Sequence, residues 1–151
     1  MADWWDSMSI SASGLTAQRL RMDVIANNIA NAQTTRTPEG GPYRREMVQF
    51  APASATNDFS TWLKQALPGS DNQPTLAAGV QVSGVVQDTS PFKLVYDPTN
   101  PDAVNGYVQM PNVDISTEMV DMVSASRAYE ANVTAFDASK QMALDALSIG
   151  K

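Results

Sequence analysis

The chain has 151 residues, with 10 Lys and Arg against 16 Asp and Glu, and its net charge of −6 argues against a broad electrostatic footprint for nucleic acid or an anionic membrane. It contains no cysteine and no histidine. That removes thiolate and imidazole nucleophiles, the usual zinc sites, CxxC redox chemistry and disulfides, and leaves carboxylate, lysine and backbone chemistry. The apolar residues fall in short runs, none long enough for a membrane span. The opening MADWWD carries acids where a cleaved secretory signal carries bases, so no such signal is expected.

All nine prolines and six of the eight glycines fall between positions 38 and 111. Both residue types interrupt helices, so the chain divides into a helical segment at 1–36, a central strand and loop region at 37–111, and a long helix at 112–151 that pairs with the first. In the first segment Met8, Leu15, Met22 and Ile29 recur every seven residues, and the helix is expected to stop near Asn31 or Ala32. Asn27 and Asn31 are four apart on one face. Their amides suit either a helix contact or a cap at the helix end.

In the centre, 43–50 alternates incompletely, 79–86 is a better strand and 92–96 is a third candidate, followed by a turn at 97–102. The stretch 51–76 suits one short helix around Phe59, Trp62, Leu63 and Leu67 inside a long loop, with a turn at Pro68-Gly69.

The last segment gives the clearest period. Ile115, Met122, Tyr129, Phe136 and Ala143 are seven apart, and Met119, Ser126, Val133, Lys140 and Leu147 follow each by four. With Asp114 as N-cap, this predicts a helix over 115–148, roughly 50 Å long. Two readings of the stripes stand: a self-contained helical hairpin, or helices whose burial is completed by other subunits. The unequal helix lengths and the Trp4-Trp5 pair favour the second.

Little chemistry emerges. The glycines at 79 and 84 lack phosphate-loop spacing. Asp114, Glu118 and Asp121 have their simplest role at the helix N-terminus and in solvent. Arg19, Arg21, Arg44 and Arg45 read as intersubunit ion pairs or ordinary surface charge, with nucleic acid a minor alternative. No cofactor, metal or catalytic residue is expected. The fold class is therefore mainly α, with long N- and C-terminal helices in coiled-coil-type packing around a small β-containing centre.

The segment IANNIANA at 25–32 resembles the N-terminal motif of bacterial flagellar rod and hook proteins. The segments KLVYDP at 93–98, GYVQMPNV at 106–113 and EMVDMVSASRAYEANV at 118–133 look like those of the proximal-rod members. The likeness covers 7–50 and 79–151. It implies a non-enzymatic rod subunit, exported without a cleaved signal peptide by the flagellar export apparatus, and assembled in the periplasmic part of the basal body. Its partners would be other flagellar rod proteins and copies of itself, with the terminal helices around the export channel. The assembly-interface residues would be apolar Leu15, Met22, Ile29, Met119, Met122, Tyr129, Val133, Phe136 and Leu147, with Asn27, Asn31, Arg127 and Asn132 adding polar specificity. A coiled-coil adaptor or chaperone-like soluble protein is the alternative that the heptads alone leave open.

Overall fold

Two helices without an internal proline dominate the computed structural model, which describes residues 3–53 and 79–149. Helix α1 spans Asp3–Ala30 and helix α2 spans Ile115–Ile149, at 28 and 35 residues. They pack antiparallel along one another. At 1.5 Å per residue α2 is about 52 Å long. Its start is capped by Asp114, whose carboxylate accepts from the Ser116 amide at 2.9 Å and whose carbonyl accepts from the Glu118 amide. Helix α1 ends at the asparagine motif: Asn31 donates from its side chain to the Asn27 carbonyl at 3.0 Å, and Thr34 donates to Asn31 Oδ1 at 3.2 Å. Asn27 and Asn31 thus cap the helix end locally.

The centre forms two antiparallel ribbons. Strands β1 (Glu46–Pro52) and β2 (Val80–Gln87) pair from Glu46 opposite Gln87 to Pro52 opposite Val80. The register shifts between Gln49 and Phe50, where Ser83 is the extra residue, and the in-out alternation of β1 breaks at the same place. Residues 43–45 of the first candidate strand lie before β1, and the strand runs two residues further, to Pro52. The ribbon lies along α1: Val80 donates its amide to Ser13 Oγ at 3.1 Å, while Glu46 is tied to Asn28 at the other end. Gly79 has a φ of +116°, and a side chain there would run into Ser13, so the close approach of β2 to α1 requires glycine.

Strands β3 (Lys93–Tyr96) and β4 (Tyr107–Met110) form the second ribbon. The sequence reading did not anticipate β4. Asn105 and Gly106, at φ 55° and 81°, make a two-residue turn between the bridged Val104 and Tyr107. Tyr96 meets Tyr107 edge to face at a centroid distance of 5.3 Å.

Among the described residues the buried apolar side chains are few: Ala17, Val24, Ile25, Val108 and Ala125. Fully burying a Val or Ile contributes about 1.5–3 kcal/mol, so this core is too small to fix the fold without help from polar contacts. The short helix expected within 51–76, the Pro68-Gly69 turn and the Trp4 side chain lie outside the described residues.

Candidate functional site

The helix pair meets along a seam of small and polar residues. Asn28 Nδ2 donates to Glu118 Oε2 at 3.1 Å, and the Ser7 and Ser139 hydroxyls are 3.1 Å apart. Between them Gly14 lies under Asn132, so close that a Cβ on Gly14 would sit 2.8 Å from Asn132 Nδ2. These three contacts are seven or fourteen residues apart on α1 and on α2, running in opposite directions, which is antiparallel heptad packing. The same steps place Arg21 level with Ala125, which is fully buried.

The inward line of α2 is therefore Glu118, Ala125, Asn132 and Ser139, one residue before the predicted Met119, Ser126, Val133, Lys140 and Leu147 line. Of that predicted line, Met119 and Leu147 face solvent at 56% and 72% exposure, and Val133 is also exposed. The other predicted line sits beside the contact, with Met122, Tyr129, Phe136 and Ala143 half-buried. On α1 the pattern repeats. Ser7, Gly14, Arg21 and Asn28 face α2, while Leu15, Met22 and Ile29 are half-buried on its flank. Asn31 and Asn132 are half-buried, and Asn27 and Arg127 are exposed. The apolar stripes do not supply the cross-helix contacts described above. They border these contacts or point away.

One end of the seam is anchored by a dense polar node. Asn28 and Glu118 are each 1% exposed. Asn28 Nδ2 donates to the Glu46 carbonyl at 2.8 Å as well as to Glu118, and its Oδ1 accepts from the Tyr43 hydroxyl at 3.0 Å and the Glu46 amide at 2.9 Å. The amide thus uses all four of its hydrogen-bonding positions. Arg45 bridges from the start of β1, its Nε donating to Glu118 Oε1 and its other arm to Asp121 Oδ2 at 3.3 Å. Arg21 reaches Asp121 Oδ1 at 3.3 Å. The main-chain amide of Arg45 donates to Asn112 Oδ1 at 2.8 Å, and Asn112 Nδ2 donates to the Asp88 carbonyl at 3.3 Å. Arg44 donates to that same carbonyl and stacks over Phe92 at 4.4 Å. One set of contacts therefore fixes α1, β1, the β2–β3 loop and α2.

The electrostatics follow from these contacts. Burial, and then the charges of Glu46 and Glu118, push the Tyr43 hydroxyl above its usual pKa. On the exposed β2–β3 loop, hydrogen bonds from the Ser90 hydroxyl and amide hold the Asp88 carboxyl below its usual range. Thr99 does the same for Asp97.

Two expectations are corrected here. Glu118 lies in the first turn of α2 as expected, but it is buried and not in solvent, because the seam brings Asn28 and Arg45 onto its carboxylate. Arg21 and Arg45 form ion pairs within one chain, since Asp121 and Glu118 come within their reach once α2 folds back on α1. The carboxylates of Asp121 and Glu118 are both held by guanidinium groups. This arrangement clamps helices together and does not present a free acid to a substrate. Asn28, Tyr43, Arg45 and Glu118 were missed as a site. The available signal was a pair of polar heptads, Ser7-Gly14-Arg21-Asn28 and Glu118-Ala125-Asn132-Ser139, each one residue ahead of an apolar stripe.

Residues 8–36 match the family described as flagella basal body rod protein, and residues 104–149 match that described as flagellar basal body rod FlgEFG protein C-terminal. The chain is 53% identical to the flagellar basal-body rod protein FlgC of Bacillus subtilis, covering 96% of this chain and 97% of that one. It is 50% identical to FlgC of Borreliella burgdorferi over 96% of both chains, and 41% identical to FlgC of Salmonella typhimurium over 94% of both. The chain belongs to the FlgC family of flagellar basal-body rod proteins, and is a structural subunit of the rod and not an enzyme.

Proposed function

We propose that the chain polymerises with copies of itself and with other axial proteins of the flagellum, transmits torque, and contributes its terminal helices to the wall of the export channel. The observation that carries this reading is the inverted helix pair. Small and polar side chains lie between α1 and α2, whereas Met119, Val120, Val123, Met142, Leu144 and Leu147 are more than half exposed on α2. A hairpin built to stand alone buries its large apolar residues inside. This one holds them outward, as an element whose burial is completed by neighbours.

On this reading the exposed Met119, Val133 and Leu147, the flanking Leu15, Met22, Ile29, Met122, Tyr129 and Phe136, and the polar Asn27, Asn31, Arg127 and Asn132 contribute to the assembly interface. The helical segments at 1–36 and 112–151 act as one assembly element that carries the region 37–111. Export by the flagellar apparatus without a cleaved signal, followed by assembly in the periplasm, completes the proposal. The chain has no helix, among the described residues, that is long and apolar enough to cross a membrane.

A lysine at Met119 or Val123 tests the reading, because both positions are exposed and tolerate a charge in the isolated chain. The expected result is a folded variant absent from sedimented hook-basal bodies and a non-motile cell. Normal incorporation of both variants would overturn it. Recovery of the wild-type chain only in a small soluble complex would point to the adaptor alternative.

A further inference from the structure

We infer that the Asn28–Glu118–Arg45 node is a register selector, which chooses between two chemically acceptable alignments of α1 and α2. In the observed alignment Ser7 meets Ser139, Gly14 meets Asn132 and Asn28 meets Glu118. Sliding one helix by seven residues, about 10 Å, preserves the heptad geometry. It sets Ser7 against Asn132, Gly14 against Ala125 and Arg21 against Glu118.

These three seam pairs are compatible in size and charge. Small residues still meet small residues, and Glu118 exchanges one arginine for another. Seams of this composition specify register weakly, since large side chains interlock only one way and small ones do not. Buried polar groups are the best-attested means of fixing it.

The node supplies that discrimination. In the shifted alignment Asn28 would be level with Pro111, before the first residue of α2, and would lose Glu118. Arg45 would be drawn away from Glu118 and Asp121, because Asn28 binds both the amide and the carbonyl of the adjacent Glu46. The observed alignment thus keeps a fully bonded asparagine and a bridging arginine. The shifted one keeps neither. A net hydrogen bond changes an equilibrium by up to about tenfold, so loss of the node brings the two alignments within reach of each other.

The absence of cysteine makes the test direct. Two reporters are built into the full chain: Ser7→Cys with Ser139→Cys for the observed alignment, and Ser7→Cys with Asn132→Cys for the shifted one. Disulfide yield is measured on dilute monomer in the wild-type, Asn28→Leu and Asn28→Asp backgrounds. Leucine removes the amide at similar volume, and aspartate places a second carboxylate against Glu118.

Wild type is expected to close the first pair at least about tenfold faster than the second. Either Asn28 variant should raise closure of the second pair toward that of the first, and adding Arg21→Ala should lower it again by removing the competing ion pair. Exclusive closure of the first pair in a helical Asn28 variant would overturn the proposal. So would closure of the second pair that is insensitive to Arg21→Ala, which would report non-specific opening. Loss of helical circular dichroism in both Asn28 variants would also overturn it, because the node would then hold up the whole fold without choosing between alignments.

Discussion

The two ends of the helix pair are built differently. Beside the β-ribbon, Asn28, Glu118, Arg45, Asp121, Arg21 and Tyr43 form a continuous network that also fixes the central region. At the far end the cross-helix hydrogen bond between Ser7 and Ser139 stands among exposed apolar side chains, with Met142, Leu144 and Leu147 turned outward. The first end is satisfied within one chain. The second leaves apolar surface exposed at Met142, Leu144 and Leu147. An isolated subunit should therefore be tight at the node and loose at the termini, with amide exchange slowest around Asn28 and Glu118.

The largest expected effect comes from breaking the satisfied end. Glu118→Ala leaves Arg45 and the Asn28 amide without their shared acceptor in a site where Glu118 is 1% exposed. Removing one partner of such a buried pair costs about 3 kcal/mol, which urea unfolding should register as a clear drop in midpoint. Ser139→Ala at the loose end should cost no more than about 1 kcal/mol. Equal losses from the two substitutions would contradict the contrast.

The middle of the seam gives a smaller effect whose sign depends on a neighbour. Gly14→Ala gains roughly 1 kcal/mol of helix propensity but drives a methyl group to 2.8 Å from Asn132 Nδ2. Asn132→Ala removes the obstruction. The double variant should therefore be more stable than Asn132→Ala alone by about 1 kcal/mol, while Gly14→Ala alone should gain less. A double-mutant cycle by thermal unfolding separates these terms.

Tyr43 connects the node to pH. Tyr43→Phe removes one donor from Asn28 Oδ1, which still accepts from the Glu46 amide, and should cost at most about 1 kcal/mol. Burial and the nearby Glu46 and Glu118 raise the folded pKa of this hydroxyl above 10.0. The unfolded chain then loses the proton first as pH rises. The contribution of Tyr43 is present below that ordinary value and is lost as pH climbs through the raised one. Stability curves of wild type and Tyr43→Phe should converge in strong alkali and stay parallel at neutral pH.

The sequence made some of this contrast legible and concealed the rest for a physical reason. The extent of α2 followed from the absence of proline and glycine between 112 and 149 and from the Asp114 cap, and the helix begins at Ile115 as expected. The apolar heptads were real, but periodicity reports which residues share a face and not what that face meets. Met122, Tyr129 and Phe136 border the internal contact, whereas Met119 and Leu147 point outward. The true seam was hidden because serine, glycine, alanine and asparagine carry little hydrophobic signal. Their role rests on hydrogen bonding across the pair and on the room that Gly14 leaves for Asn132. Likewise Asn28 could not be told from Asn27 or Asn31 by spacing within the motif. Only the arrival of Tyr43, β1 and α2 gives Asn28 its four hydrogen bonds.

The smallest expected effect on the monomer belongs to the exposed apolar residues of α2, and this sharpens the contrast most. Met142 and Leu147 are 64% and 72% exposed, so little of either side chain leaves water when one chain folds. Met142→Ser and Leu147→Ser should shift unfolding free energy by less than about 0.5 kcal/mol. The same side chains offer an apolar surface to any neighbour that covers them, at about 25 cal/mol per Å² buried. Self-association of the purified chain, followed by sedimentation, should therefore weaken in both variants even though their unfolding curves overlay that of wild type. A monomer destabilised by more than 1 kcal/mol in either variant would mean that the loose end is already packed within one chain.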